Sequence, residues 1–288
     1  MEYPLIPAQT GGVPLARSLE DVETELLLEG VFRHYGYDFR DYAPSSLRRR
    51  LRHLMIGEGL SSISDLTEKV LHDPAWLDKL VTAFSINVSA MFRDPSFYRV
   101  FRDRLVPILR TYPFVRIWHA GCSTGEEVYS TAILLHEAGV YDRCRIYATD
   151  INEAVLRKAR DGIFPLTAMK AYTANYIEAG GASAFSEYYT AQYDSAIFRP
   201  WLKRNIVFAQ HNLAMDTSFN ELHVIVCRNV MIYFNRTLQS RVVDLFSASL
   251  VRLGFLCLGN KESLKGTHGE AAYDVLSADE RIYRKVRG

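Results

Sequence analysis

The chain has 288 residues, 48% of them hydrophobic and 23% charged, with a formal net charge of +1 at pH 7. This calls for one large or two modest folded domains and excludes a disordered chain. Near-neutrality also excludes a global attraction for nucleic acid or a membrane surface, so electrostatic recognition must come from a local patch. The four cysteines, Cys122, Cys144, Cys227 and Cys257, form no C-x-x-C pair, which argues against a disulfide framework or a zinc site. The start carries no secretory signal and no run of about 18 apolar residues forms a membrane span, so the expected location is cytoplasmic, with no metal.

Residues 1–20 hold Pro4, Pro7, Gly11, Gly12 and Pro14 and read as a loose leader. Residues 21–90 read as a small all-helical domain of three to five helices. Its signals are Asp21 and Glu23 before Leu26, Leu27 and Val31; Ser45 or Ser46 capping a helix with Leu47, Leu51, Leu54 and Met55 on one face; stops at Gly57 and Gly59; and starts at Ser64-Asp65 and Asp73-Pro74. Asp94-Pro95 reads as a cap and first residue of a further helix that buries Phe97, Phe101, Leu105 and Ile108.

The period then changes. Arg116–Ala120 reads as a strand, Ala120–Glu127 as a glycine turn, Val128–Ala138 as a helix, Arg145–Asp150 as a strand and Asn152–Arg160 as a helix. Strand–helix alternation of this kind is the signature of a parallel α/β sheet. Residues 163–205 break the rhythm, and Tyr188–Thr190 with Ala196–Arg199 pair as a hairpin. Strands are expected again at Ile206–Ala209, at Leu222–Cys227 as a central strand, at Gly254–Leu258 and at Arg281–Val286, with a helix over 237–251.

Four features carry chemistry. The strongest is the glycine turn: Gly121 and Gly125 let a ligand approach the backbone, and the helix start offers free N–H groups. Asp150 ends the next strand, where a carboxylate accepts both ribose hydroxyl hydrogens of an adenosine. This geometry alone fits NAD or S-adenosylmethionine, or a tight turn with no ligand. The turn lacks G-x-G-x-x-G and places Glu126 and Glu127 directly after Gly125, which would repel a pyrophosphate and attract a cationic sulfonium, so the reading tilts to the methyl donor.

The second feature is Asn229–Phe234, just beyond the strand ending at Cys227, which brings Arg228, Asn229 and Tyr233 to the donor; Tyr233 and Phe234 read equally as core aromatics. The third is Ser85–Pro95, where Asn87, Ser89 and Arg93 interleave with apolar residues; spacing alone fits a solvated linker with one capping Asp. The fourth is Arg48, Arg49, Arg50, Arg52 and His53, either a solvated helix face or a docking patch for an acidic partner. The histidines lack ligand spacing and read as structural.

These strings resemble the CheR family, the chemoreceptor protein-glutamate methyltransferases, over roughly residues 24–286. They are Ser85–Pro95, Ala120–Glu127 with Tyr129-Ser130, Ala148–Ile151, Cys227–Phe234 and Glu262–Leu264. The resemblance implies an α/β fold: a Rossmann-like class I methyltransferase domain (91–288), an N-terminal all-helical domain, and a small inserted antiparallel β-subdomain near 185–208. It implies S-adenosyl-L-methionine as cofactor, S-adenosyl-L-homocysteine as product and glutamate methyl esters on a receptor's cytoplasmic helical region. Donor contacts map onto Asn87, Ser89, Arg93, Glu127, Asp150, Asn212, Leu213, Arg228 and Asn229, beside the turn residue Gly121. Help with catalysis maps onto Arg93 and Tyr233, and substrate docking onto Arg48, Arg49 and Arg52.

The chain departs from the usual pattern at Ser89 (commonly Thr), Met91 (commonly Phe) and Val128 (commonly Pro). Its hairpin lacks the glycine-rich extension of members that bind a receptor's terminal pentapeptide, so the resemblance implies no such tether. Two other readings share the donor site: a donor- or product-binding signalling module without transfer activity, and a small-molecule O-methyltransferase.

Overall fold

The computed structural model describes residues 17–85, 88–218 and 221–287. The helical unit comprises α1 (Leu19–Tyr35), α2 (Pro44–Glu58), α3 (Ile63–His72) and α4 (Pro74–Phe84). Helix α1 starts inside the expected leader, because the Ser18 side chain caps it by accepting from Asp21 N. Helix α2 is not capped by Ser45 or Ser46. It starts at Pro44, whose fixed φ suits a first helical residue, with Ala43 at the cap position and no side-chain cap bond. It runs through Gly57 and stops at Gly59. Helix α3 opens with a reciprocal Ser62–Asp65 capping box, and Asp73 caps α4.

After α5 (Pro95–Val100) the helix widens into a π-turn (Phe101–Leu105) and closes as α6 (Val106–Leu109). The α/β unit follows: β1 (Val115–Ala120), α7 (Glu126–Glu137), β2 (Cys144–Asp150), α8 (Glu153–Asp161), β3 (Ile163–Pro165), α9 (Met169–Glu178), β4 (Tyr189–Gln192), β5 (Ser195–Phe198), β6 (Ile206–Gln210), β7 (Leu222–Cys227), α10 (Arg236–Ser249), β8 (Leu250–Leu258), β9 (Tyr273–Ser277) and β10 (Ile282–Lys285). The seven-stranded sheet has the order β6-β2-β1-β7-β8-β10-β9. Its first five strands are mutually parallel, and β10 and β9 are antiparallel additions.

Alternate residues of the central strands feed two cores, as a period of two requires. Val115 and Ile117 of β1, Val224 and Val226 of β7, and Phe255 and Cys257 of β8 face α7 and the inserted unit. Trp118 and Ala120, Ile225 and Cys227, and Leu256 and Leu258 face α10 and the helical unit, which contributes Leu27, Val31, Leu51, Leu66 and Phe84 to the same cluster. The N-terminal helices are thus part of the wall of the sheet rather than a separate bead.

The inserted unit is larger than a hairpin. Strands β4 and β5 pair across Tyr193-Asp194, and β3 pairs with the far side of β5. Three-residue β3 ends in Pro165 and shows no alternation long enough to read as a strand. The expected strand at Gly254–Leu258 begins earlier, at Leu250, directly after α10. Strand β9, at the sheet edge, is absent from the sequence reading. No helix among the described residues is long and apolar enough to cross a membrane.

Candidate active site

Strand order reverses direction around β1, whose neighbours are β2 on one side and β7 on the other, so the crevice beyond their carboxyl ends is where an open α/β sheet binds its ligand. A cavity of about 970 Å³, counted with its open mouth, lies there. Ser89, Arg93, Gly121, Glu127, Asp150, Asn212, Leu213, Arg228, Asn229 and Tyr233 all line it. Asn87 lies outside the described residues.

The glycine turn forms the floor. Gly121 has φ +80°, and its N–H and that of Cys122 both donate to the Thr149 carbonyl at 2.8 Å, tying β1 to β2. A Cβ at Gly121 would lie 2.5 Å from Val230 Cγ2, so the turn and the loop after β7 touch through the missing side chain. Gly121→Ala is therefore expected to cost ~1–3 kcal/mol and to push Val230 into the cavity, weakening donor binding. Urea unfolding and donor calorimetry check this. Adding Val230→Ala should recover part of the loss, leaving the backbone strain.

Asp150, at the end of β2, is buried, and both oxygens are aimed by the backbone: Ser123 N–H donates to Oδ2 at 2.9 Å and Asn152 N–H to Oδ1 at 3.0 Å. Burial raises its pKa, and these N–H groups oppose the shift.

The two glutamates after Gly125 separate. Glu126 is absent from the cavity wall; its carboxylate accepts from the Thr124 hydroxyl at 2.7 Å, and burial raises its pKa. The paired-glutamate argument thus loses Glu126, and Glu127 and Asp150 are the carboxylates on the cavity wall. Burial pushes the Glu127 carboxyl up, but hydrogen bonds and charge from His119 and Arg228 outweigh it and hold it below the usual glutamate value. His119 Nδ1 lies 3.1 Å from Glu127 Oε1, and Arg228 Nη1 donates to Oε2 at 2.9 Å.

Arg228, on the cavity wall, braces its neighbours. Its Nη2 donates to Asp94 Oδ2 at 2.6 Å, its Nη1 also reaches the Arg93 carbonyl at 3.3 Å, and its guanidinium stacks 4.2 Å over Phe97. Burial lowers its pKa, but Glu127 and its other neighbours prevail and raise it. Asp94, expected to cap α5, has φ +57° and makes no cap bond; its carboxylate serves Arg228 instead. Within the stretch whose spacing alone fits a solvated linker, Met91 and Phe92 are fully buried.

On the far side, Tyr233 sits in a tight turn (Met231–Tyr233) held from outside the domain: Ala43 N–H donates to the Tyr233 carbonyl at 2.8 Å, and Tyr42 packs on Phe234. Phe234 is buried, and Tyr233 is partly exposed. Glu262, after β8, accepts from the N–H groups of Gly259, Asn229, Val230 and Ile232 at 2.6–3.3 Å, and burial raises its pKa. This buried carboxylate folds the loop that displays Asn229 and Tyr233. Sequence reasoning read Asp94 as a helix cap and His119 as structural, and gave Glu262 only as part of a matching string. The contacts described here exist only in the folded chain.

On α2, Arg48 pairs with Asp21 at 2.7 Å and Arg52 with Glu20 at 2.7 Å, while Arg49 is exposed. Exposed pairs of this kind are weak and exchange readily.

The protein sequence matches two family profiles: "CheR methyltransferase, all-alpha domain" over residues 23–85 and "CheR methyltransferase, SAM binding domain" over residues 87–281. It is 46% identical to the methyltransferase Cher3 of Pseudomonas putida, across 92% of this chain and 97% of that one. It is 32% identical to chemotaxis protein methyltransferase 2 of Pseudomonas aeruginosa, across 83% and 82% of the two chains. It is 30% identical to the chemotaxis protein methyltransferase of Listeria innocua, across 89% and 94%. Together, the two profile matches and these relatives make the chain an S-adenosylmethionine-dependent methyltransferase with a Rossmann-like domain, and it belongs to the CheR methyltransferase family.

Proposed function

We propose that this chain methylates glutamate side chains in the cytoplasmic helical region of a chemoreceptor or related signalling protein, forming methyl esters. The observation that carries the reading is the placement of Tyr233 and Arg93 on the wall of the donor cavity, beside the helical unit with its arginine-bearing face on α2. The names of the relatives, chemotaxis protein methyltransferases, support a receptor substrate.

When bound, S-adenosylmethionine supplies an electrophilic methyl carbon and a neutral thioether leaving group. A glutamate side chain, with a reference pKa of about 4.3, is already ionised near neutral pH and needs no base. Its oxygen bonds to the methyl carbon as the carbon–sulfur bond breaks, and no proton moves. The work of the protein is to aim and desolvate that oxygen. Glu127 and Asp150 hold the cationic amino-acid and ribose ends. Arg93, exposed and bonded by Nη1 to the Val88 carbonyl at 3.2 Å, faces the incoming carboxylate, and the Tyr233 hydroxyl donates to it. Arg48, Arg49 and Arg52 dock the acidic substrate helix, exchanging their α1 partners for it. The two-residue turn of the β4–β5 hairpin supports docking without a pentapeptide tether.

Tyr233→Phe should lower turnover roughly tenfold or more while leaving donor affinity within about twofold, since one transition-state hydrogen bond is removed; unchanged turnover would remove Tyr233 from the mechanism. The function itself is tested by incubating the protein with labelled donor, receptor cytoplasmic fragments of the same bacterium and a metabolite extract. Label in the receptor fragment supports the proposal, and label only in extractable metabolites favours a small-molecule methyltransferase. Donor binding with no transfer to either favours a signalling module.

A further inference from the structure

The segment between α1 and α2, residues 36–43, runs along the donor cavity and is tied to both of its walls. Near the ends of β2 and β6, Gln210 Nε2 donates to the Tyr37 hydroxyl at 3.0 Å and to the Ile151 carbonyl at 2.9 Å. Near the loop after β7, Asn235 donates to Asp41 twice, from its backbone N–H to the carbonyl and from Nδ2 to Oδ1, each at 2.9 Å. Between these anchors lie Phe39 and Tyr42, and both line the cavity. The Tyr42 ring packs edge-on against Phe39 and Phe234, with ring centres 5.2 and 5.0 Å away. That packing fixes the ring and leaves the hydroxyl as the end that can act.

Tyr42 is only 9% exposed, yet no described residue is a hydrogen-bond partner of its hydroxyl. A buried polar group normally has one. Burial, and after it the charge of Asp150, raises the Tyr42 pKa, so the hydroxyl keeps its proton at neutral pH and stays a donor. Asp150 stands on the same cavity wall, at the end of β2, where a carboxylate accepts from ribose hydroxyls. A ribose hydroxyl that donates to Asp150 still has oxygen lone pairs with which to accept. The cavity thus offers a fixed hydroxyl donor, Tyr42, near a fixed acceptor, Asp150.

We propose that the Tyr42 hydroxyl donates a hydrogen bond to a ribose oxygen of the methyl donor, completing with Asp150 a two-residue clamp on the sugar. Asp150 accepts from the ribose hydroxyls, and Tyr42 covers an oxygen lone pair that Asp150 leaves open. This role concerns the donor alone and is independent of the acceptor. Because the ring is already fixed by Phe39 and Phe234, little side-chain freedom is lost when the bond forms. The bond also makes segment 36–43 of the helical unit part of the donor site, so that the sheet supplies one half of the clamp and the helical unit the other.

Calorimetry on the full chain tests this with S-adenosylhomocysteine and its 2′-deoxy and 3′-deoxy forms, in wild type and in Tyr42→Phe. The variant keeps the ring and removes one hydrogen-bond donor. Its affinity for the parent ligand should fall roughly fivefold to tenfold, the size of one hydrogen bond. For one of the two deoxy forms, wild type and variant should agree within about twofold, because the oxygen that Tyr42 serves is gone. For the other deoxy form the loss should remain. No loss with the parent ligand overturns the proposal. Equal loss with all three ligands overturns it as well, since altered packing of the ring would weaken them alike. If the variant also melts at a lower temperature, the comparison of ligands still decides, because a packing defect does not tell a 2′ oxygen from a 3′ oxygen.

Discussion

Arg228→Met should cost about 3–5 kcal/mol of folding stability and nearly abolish donor binding, because it leaves two buried or half-buried carboxylates without their cation. Arg228 holds Asp94 and Glu127 at 2.6 and 2.9 Å and is 6% exposed. Methionine fills similar volume, so the loss reports charge more than packing. Urea unfolding and donor calorimetry read the two effects. Adding Glu127→Gln should restore part of the stability by removing one stranded charge, yet leave donor affinity low. The pH dependence follows from the depressed Glu127 pKa. A carboxylate depressed in the folded state stabilises fully above its unfolded pKa, and that stabilisation is lost as pH falls through the lower folded value. Arg228→Met should flatten this acid-side slope. An unchanged slope would mean that Arg228 does not hold Glu127.

Asp150→Asn should weaken donor binding by roughly 100-fold, the order expected for losing charge-assisted hydrogen bonds to two ribose hydroxyls. The wild type also carries a pH signature. Burial raises the Asp150 pKa, so the folded, donor-free protein keeps this proton to a higher pH than the unfolded chain does. Its contribution to stability is therefore fullest below the unfolded aspartate pKa and is lost as pH rises through the raised folded value. Donor binding runs the other way, since the ribose needs the carboxylate. Affinity should fall on acidification at a pH above the ordinary aspartate value of about 3.9, and Asp150→Asn should abolish that dependence. Calorimetry across pH in both proteins measures it; the same midpoint in the variant would assign the titration to another group.

What the sequence made legible was local. The period change at Arg116, the glycine turn and Asp150 specify β1, α7, β2 and the donor floor within one short stretch, since strand alternation, helix capping and turn glycines act over a few residues. What stayed hidden depended on contacts that only the folded chain makes. Asp94 before Pro95 has the form of a helix cap, yet Arg228, 134 positions away, claims its carboxylate. Glu262 stands in the sequence only as part of a matching string, and its part emerges where four backbone N–H groups from two loops converge on it. His119 reads as a structural histidine until Glu127 folds back from the next helix. Ser45 and Ser46 lost the cap of α2 to a local competitor, Pro44, whose fixed backbone begins the helix first. Elements with weak patterns, β3 and β9, are specified by the strands they pair with rather than by their own residues.

The fate of the methyl group on a labelled receptor fragment tests the central claim most directly. After incubation with labelled donor, mild base should release the label as methanol and leave unlabelled glutamate, because an ester hydrolyses where an amine or ether does not. Base-stable label in the fragment would contradict transfer to a glutamate carboxylate.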